Sequence, residues 1–358
     1  SMDAGDILPP ELTDILARLR SDAHFMPPKQ LKQVLINNWG KDWLRNFKQF
    51  DVRPIAAASI GQVHRATLRD GRTLAIKVQY PGIARSIDSD VANVGALLRA
   101  SRILPSHFDI APYLEEAKRQ LHEETDYARE GQYMASFRAR LADQPQFQVP
   151  EFYPDWSTPN VLSMSFAQGR PIESLEHASQ DTRNAAATHL FALMLRELFE
   201  FGEVQTDPNF ANYLFDADTH QLVLLDFGAT RIMDRTVTDH YRDLFLAGLK
   251  NERAALLQAA VHLGFLSTDM ADRHRDRIAG MLDLSFAALR DNAVYDFADT
   301  ALSDRMQAEG MALVQDGFLP PPVPMDVLYL QRKLGGLVLL ATRLQAKVAL
   351  RDMVRAHL

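Results

Sequence analysis

The stretch "QTDPNFANYLF", Gln205 to Phe215, places Asp207 five positions before Asn212 in an apolar run. Taken alone, it predicts a surface turn, because Asp and Asn side chains in such sequences bond nearby backbone amides. The next stretch, "LVLLDFGAT" from Leu222 to Thr230, is an apolar run that reaches Asp226-Phe227-Gly228. This run predicts a strand that delivers a carboxylate to a turn. With Asp207 and Asn212 just upstream, half of a magnesium nucleotide site becomes the favoured interpretation.

Protein kinases hold their metal ions with an Asp-x-x-x-x-Asn loop, a strand and Asp-Phe-Gly in this order. They also use a lysine on the third strand to grip the α- and β-phosphates, and a helix carboxylate fixes that lysine. Here "LAIKV", Leu74 to Val78, carries Lys77 on the second strand of a predicted hairpin. A strand lysine is usually a surface residue. Lys77 is therefore a site candidate only because it precedes the other motifs in the kinase order.

Carboxylates that could fix Lys77 follow in "QLHEETDYAREGQ", Gln120 to Gln132. If this stretch is one helix, Glu123, Asp126 and Glu130 fall on one stripe and Glu124 lies beside it. A solvated acidic helix face is the simpler interpretation of any single residue here. The position of the four acids, between a strand lysine and the metal-loop sequence, favours a role in the site.

The loop that covers the phosphates should precede Lys77, and there the chain has "AAASIGQV", Ala56 to Val63, without a Gly-x-Gly-x-x-Gly pattern. Alanine lacks glycine's freedom at positive φ, and its Cβ keeps the backbone away from a phosphate. We therefore expect a stiffer loop that fits ATP differently from the loop of a typical kinase.

The composition excludes several classes of protein. At 358 residues, two lobes or domains are expected, and 47% hydrophobic with 24% charged residues is globular composition. A net charge of -7 without a basic block argues against nucleic-acid binding. The absence of cysteine excludes disulfides and cysteine-ligated metals, and it fits a reducing compartment. The apolar run "LGGLVLLATRL", Leu334 to Leu344, is too short to span a membrane and predicts a buried helix.

Along the chain the periodicity changes from helical to β and back. Asp70-Gly71 between alternating runs is a strong hairpin signal, and Pro27-Pro28 predicts the first turn of a helix. The predicted segments of the first half are helices over 10–50, including Leu12 to Leu19 and Leu31 to Trp43, a hairpin over 61–80, helices over 83–141 and two short strands over 147–166. Beyond Gly169 we predict almost only helices, except for a pair of strands around Asp226, with "LPPPVP" at 319–324 as an extended connector.

Four motifs together resemble the UbiB family of atypical protein-kinase-like ATPases, and most closely its mitochondrial coenzyme Q branch and bacterial relatives. They are "AAASIGQVHRA", "EETDYARE", "QTDPNFANYLF" and "LLDFGATR", in family order. The resemblance implies an α+β, two-lobed protein-kinase-like fold that binds MgATP or MgADP. It also implies support of ubiquinone biosynthesis, by ATP hydrolysis coupled to lipids or membrane-associated enzymes. The expected domains are an N-terminal helical extension over 1–48, an N-lobe with a helical insert over 49–167 and a helical C-lobe over 168–358.

The same resemblance assigns roles to residues that match the family's motifs. Lys77 would bind the phosphates with Glu130 as its ion-pair partner, and Asp207 would be the catalytic-loop aspartate. Asn212 and Asp226 would hold Mg²⁺. The family's Glu-x-Asp motif would be Glu124 and Asp126, and the nucleotide-binding alanine loop would comprise Ala56, Ala57, Ala58 and Ser59.

The chain departs from the family pattern at its start. We expect Ser1-Met2 to be a cloning remnant and the family's Lys-x-Gly-Gln helix, which resembles an autoinhibitory plug, to lie upstream of it. Gln205 stands where typical kinases have histidine, as in the coenzyme Q branch.

Three rival functions share these residues. A conventional protein kinase is disfavoured, since only "ATRIMD" separates Gly228 from a predicted helix and no Ala-Pro-Glu follows. A small-molecule or lipid kinase could use the same side chains, and a non-catalytic nucleotide-binding scaffold could keep the metal ligands. The expected partners are membrane lipids and quinone-biosynthesis enzymes or intermediates, with no nucleic acid. The expected location is cytoplasmic or peripheral at the inner membrane, and the oligomeric state stays open.

Overall fold

The computed structural model describes residues 25–104, 108–207 and 209–358. Among these residues the chain divides into two compact units. The N-terminal unit contains the chain up to Gly169 together with Val223–Ala229, and the C-terminal unit contains Arg170–Leu222 and Thr230–Leu358. The predicted helix at Leu12 to Leu19 lies outside the described residues.

The N-terminal unit is built on an antiparallel sheet with the order β1-β3-β4-β6, in which β2 pairs with β3. The hairpin predicted around Asp70-Gly71 joins β3 to β4, and Asp70 accepts a hydrogen bond from the Arg72 backbone N–H at 3.0 Å. The strands of this unit are β1 (Phe47–Phe50), β2 (Ala56–Ala57), β3 (Gly61–Leu68), β4 (Thr73–Gln79), β5 (Phe147–Gln148) and β6 (Val161–Ser165).

The helices of the N-terminal unit follow the sequence prediction with two corrections. The helical pattern predicted as far as residue 50 ends at Trp39, where Gly40 has a φ of 90°, and residues 47–50 form strand β1 instead. A helix begins at Pro28 as predicted, but the expected single helix over Gln120 to Gln132 is two helices. The chain breaks between them because Asp126 caps the second helix and accepts a hydrogen bond from the Arg129 N–H at 3.1 Å. The helices are α1 (Pro28–Trp39), α2 (Ile83–Ser101), α3 (Ala111–Glu124) and α4 (Tyr127–Arg140).

An aromatic cluster joins α1 and β1 to the turn before β6. The Trp39 ring lies 5.9 Å from Trp43, 5.5 Å from Phe47 and 5.7 Å from Trp156, between ring centroids. Phe50 adds an edge contact with Trp43 at 5.0 Å. Offset and edge-to-face ring pairs of this kind stabilise a core beyond the area that they bury. The cluster fixes the start of the N-terminal unit onto its sheet.

The C-terminal unit is mainly helical, which confirms the predicted α+β division. Its helices are α5 (Gln180–Arg196), α6 (Arg235–Lys250), α7 (Arg253–Leu263), α8 (Asp272–Asp291), α9 (Ala301–Gln315), α10 (Met325–Arg343) and α11 (Leu350–Arg355). The sequence missed several short strands beyond Gly169. The strands from Arg170 onward are β7 (Arg170–Pro171), β8 (Glu203–Gln205), β9 (Tyr213–Asp216), β10 (Gln221–Leu224), β11 (Thr230–Ile232), β12 (Tyr295–Asp296) and β13 (Lys347–Val348).

The apolar run from Leu334 to Leu344 lies almost wholly in α10, as predicted, and Leu337, Leu340 and Ala341 are buried. Within the described part of the chain, no helix combines the length and the apolar character that crossing a membrane requires.

Candidate nucleotide site

Lys77 lies in the central strand β4, and its side chain is buried. Its Nζ donates a hydrogen bond to Glu130 Oε1 on α4, and the nearest Asp226 oxygen is 3.8 Å away. The Lys77 ammonium also lies 5.1 Å from the ring centroid of Tyr127. The structure therefore brings together three of the predicted site residues, one cation and two carboxylates, inside the N-terminal unit.

Burial and charge oppose each other in this cluster. Burial alone would lower the pKa of Lys77, but the Asp226 and Glu130 carboxylates outweigh it and raise that pKa. Burial raises the pKa of Glu130 to about 8, with Asp226 adding to the shift and Lys77 opposing it. Glu130 Oε2 is buried without a hydrogen-bond donor among the described residues. One buried lysine balances only one of the two carboxylates when both are ionised, and the raised pKa of Glu130 reflects burial together with that surplus.

The Asp-Phe-Gly segment is anchored on α4. Phe227 is fully buried and its ring centroid lies 5.2 Å from that of Phe137. The Arg129 guanidinium donates to the Gly228 carbonyl at 3.1 Å, and Asp226 Oδ1 accepts the Gly228 N–H at 2.8 Å. A Cβ at Gly228 would lie 3.2 Å from Asp226 Oδ1, which is a tight contact. A larger residue there would therefore have to displace the Asp226 carboxylate by a few tenths of an ångström.

The loop from Gln205 to Phe215 contains both a turn and a contact between Asp207 and Asn212. Asp207 Oδ1 accepts the Asn209 N–H at 2.9 Å, as the turn interpretation predicts. Asp207 Oδ2 accepts a hydrogen bond from the Asn212 side-chain amide at 3.0 Å. The two predicted site residues of the C-terminal unit therefore lie in direct contact, with their polar atoms together.

The short segment between Gly228 and α6 is held by strand pairing and by a helix cap. Strand β11 pairs with β8, with Thr230 opposite Gln205 and Ile232 opposite Glu203. Asp234 then caps α6 and accepts the Thr236 N–H at 2.8 Å. In this two-strand ribbon of β8 with β11, strand β11 occupies the place in the chain where a conventional kinase has its activation segment, whereas β8 precedes Asp207.

Glu124 and Asp126, the expected Glu-x-Asp motif, have different surroundings. Glu124 is buried at the end of α3 and accepts a hydrogen bond from the Gln120 side chain at 3.2 Å, whereas Asp126 is exposed as the α4 cap. The predicted stripe of Glu123, Asp126 and Glu130 is wrong, because the helix break puts Glu130 with buried Tyr127 instead.

The alanine loop belongs to the sheet of the N-terminal unit, because its strand β2 pairs with β3. Ala56 pairs with Val63 and Ala57 with Gln62, and the Ala58 N–H donates to the Gly61 carbonyl at 2.8 Å. A Cβ at Gly61 would lie 2.2 Å from the Val78 carbonyl oxygen, so only glycine fits beside β4. Ala56 and Ala57 are exposed, and Ala58 and Ser59 are half-buried.

The sequence missed a buried ion pair between Glu197 and Lys333 of the C-terminal unit. Lys333 Nζ lies 3.0 Å from Glu197 Oε1 and 2.5 Å from the Gln205 carbonyl oxygen. Glu197 Oε2 accepts the Gln205 N–H at 2.6 Å. Burial raises the pKa of Glu197, and Lys333 opposes this shift. The sequence shows a charged residue within each of two apolar helical runs, but it does not indicate that these two residues pair.

Comparison with known proteins decides the family. The family model of the ABC1 atypical kinase-like domain matches residues 18–260. The chain belongs to this family. Residues 261–358, which include α8 to α11, lie beyond the matched range. The match confirms the UbiB resemblance and the kinase-like fold.

Relatives within the ABC1 family are similar over nearly the whole chain. This chain is 39% identical to atypical kinase COQ8B, mitochondrial, of Rattus norvegicus over 99% of the length of this chain. It is 37% identical to atypical kinase COQ8, mitochondrial, of Saccharomyces cerevisiae over 96% of the length of this chain. It spans 66% of the rat protein and 68% of the yeast protein. Among solved structures, Rv3197 of Mycobacterium tuberculosis, determined with erythromycin, has the same fold at a TM-score of 0.75 and 21% identity, covering 98% of this chain and 89% of its own.

Proposed function

We propose that this ABC1-family chain is an atypical kinase-like ATPase that binds MgATP or MgADP and supports coenzyme Q biosynthesis. The buried cluster of Lys77, Glu130 and Asp226 carries the proposal. Its lysine can bind phosphate and its carboxylates are of the kind that bind Mg²⁺, so the cluster combines the two kinds of group that a magnesium nucleotide requires. The oxygens of Asp226 and Asn212 are hard donors of the type that Mg²⁺ prefers, with phosphate and water completing its shell.

Each site residue has one role in this proposal. Lys77 binds the phosphates while Glu130 holds it in place, and Asp207 orients the attacking hydroxyl or water. Asp226 and Asn212 would hold Mg²⁺, which when bound neutralises charge on the phosphates. Ala56, Ala57, Ala58 and Ser59 cover the nucleotide. In the family motif, Asp126 caps the helix that carries Glu130, and Glu124 ends the helix before it.

Hydrolysis fits the structure better than phosphorylation of proteins. A protein kinase needs an ordered platform that holds a Ser or Thr hydroxyl in line with the γ-phosphate. The residues after Gly228 pair with β8 and then cap α6, which supplies no such platform. A small-molecule or lipid kinase is the alternative, because a small alcohol needs no platform. A non-catalytic nucleotide-binding scaffold is the remaining alternative.

The cellular assignment rests on the relatives and on the family resemblance. The rat and yeast proteins are mitochondrial atypical kinases by name. We propose that membrane lipids and quinone-biosynthesis enzymes or intermediates are the partners, and that the chain is cytoplasmic or peripheral at the inner membrane. We also propose that residues 1–48 form an extension, residues 49–167 the N-lobe and residues 168–358 the C-lobe.

Labelled ATP tests the proposed reaction directly. We expect slow MgATP hydrolysis that requires Asp207 and Lys77, stimulation by anionic vesicles or phenolic quinone-precursor analogues, and no transfer to casein. The physical reason is that Asp207 has a nucleophile to orient but no platform for a peptide. Asp207-dependent transfer to casein would overturn the proposal, and transfer to a small alcohol or a lipid would establish the kinase alternative. Nucleotide binding without phosphate release would support the scaffold.

A second test concerns the alanine loop. We expect Ala58→Gly to change the ratio of the ATP and ADP dissociation constants, because glycine frees the backbone between Ala57 and Gly61 and removes a Cβ beside the phosphates. Titration calorimetry with both nucleotides measures the ratio, and the exposed Arg69→Ala is the control. An unchanged ratio in Ala58→Gly would make Ala58 a packing residue only.

A further inference from the structure

Gln205 begins the catalytic loop, and side chains from two helical regions of the C-terminal unit form hydrogen bonds with its backbone. It lies two residues before Asp207, at the end of β8. Its backbone N–H donates to Glu197 and its carbonyl accepts from Lys333. The side chains of Glu197 and Lys333 are 0% and 3% exposed. The buried ion pair therefore takes both backbone polar groups of one residue, as a neighbouring strand would.

The same helix holds the other strand of the ribbon. Asp326 and Lys333 lie seven residues apart on α10, which is about two turns, so they share one face. Asp326 accepts from the Arg231 guanidinium at 2.5 Å and from the Asp234 N–H at 2.8 Å. Arg231 also lies 4.9 Å from the ring centroid of Tyr329, on the same helix. One face of α10 thus contacts β8 through Lys333 and β11 through Asp326.

The β8–β11 ribbon needs such support. Each of its strands has only three residues, and a two-stranded sheet of this size is marginal by itself. An ion pair that is buried and also bonds the backbone fixes the ribbon in one position, whereas an exposed pair would not. Because β8 leads into Asp207, the position of the ribbon sets the position of that carboxylate.

We propose that α10 is a clamp for the catalytic loop and that Lys333, Glu197 and Asp326 are positioning residues for Asp207. The clamp lies partly outside the range matched by the ABC1 family model, since both α10 residues come after residue 260. Its effect on turnover rests on the proposed ATPase function, but its effect on the ribbon does not.

The test compares two double variants, each of which changes one residue of α10 and its ion-pair partner. Glu197→Gln with Lys333→Met removes both buried charges together and leaves the shape nearly unchanged. Glu176→Gln with Arg343→Met removes an exposed ion pair that also involves α10, and it is the control. We expect faster hydrogen exchange in residues 203–207 of the first variant only. We also expect its kcat for ATP hydrolysis to fall by up to about 100-fold with a smaller change in KM for MgATP.

Unchanged exchange in residues 203–207 of the folded first variant would overturn the clamp, as would an unchanged kcat. If that variant does not fold, Asp326→Asn tests the other contact and should speed exchange in residues 229–234, and unchanged exchange there would count against the proposal. A wild-type chain without ATP hydrolysis would refute the proposed function while the exchange comparison still decided the clamp.

Discussion

Asp226→Asn should abolish Mg²⁺-dependent nucleotide binding while the chain stays folded. The asparagine keeps the shape and can still accept the Gly228 N–H that Asp226 accepts at 2.8 Å. It removes a full negative charge from the proposed metal shell, where Mg²⁺ relies on one or two carboxylates. It also removes one of the two carboxylates beside Lys77 and leaves the Lys77–Glu130 ion pair in place.

Thermal stabilisation by MgATP measures this loss, with ATP in excess EDTA as the metal-free comparison. Asp218→Asn is the matched control, because it neutralises an exposed aspartate in a turn of the C-terminal unit. We expect the control to retain the full MgATP shift and Asp226→Asn to show none. An undiminished MgATP-induced shift of the melting temperature in Asp226→Asn would show that Asp226 is not a metal ligand.

Lys77→Met should cost about 3–5 kcal/mol of unfolding free energy, because it leaves Glu130 and Asp226 without their buried cation. Nucleotide binding should be lost as well, since no other cation among the described residues is paired with Glu130 in this cluster. Urea denaturation measures the stability, and an exposed strand lysine replaced in the same way, Lys48→Met, is the control.

The double variant Lys77→Met with Glu130→Gln separates the two losses. Removing both members of a buried ion pair is often nearly neutral, so much of the stability should return. Nucleotide binding should not return, because methionine offers no charge to the phosphates. If the double variant were as unstable as the single one, the ion pair would not explain the stability of this region. If it bound MgATP normally, Lys77 would have no role in binding.

The sequence predicts those parts of the fold whose signals are local. Asp70-Gly71 specifies its hairpin and Pro27-Pro28 its helix start, because turn and cap preferences depend on neighbouring residues. The signal for the helix break at Asp126 is also local. The regular spacing of acidic residues across this break favoured the interpretation as one continuous helix. The short strands β8 and β11 carry too few residues for an alternating pattern to appear.

For the site, chain order and family resemblance point to Lys77, Glu130 and Asp226, and the structure shows them in contact. The pairing of Glu197 with Lys333 could not be predicted, because 136 residues separate them and a charged residue within an apolar helical run does not indicate its partner. Long-range pairs of this kind are specified by packing, which no single stretch of sequence reveals. Their roles in the reaction stay predictions until the variants are measured.

The aromatic cluster at the start of the N-terminal unit also makes an internal optical probe. All three tryptophans of the chain belong to it, so fluorescence excited selectively at tryptophan reports on the N-terminal unit. Far-UV circular dichroism is weighted toward the C-terminal unit, which contains most of the helices. Coincident melting curves from the two signals would mean that the units unfold cooperatively, and separated curves would give each unit its own midpoint. Nucleotide-induced shifts can therefore be assigned to one unit without any label.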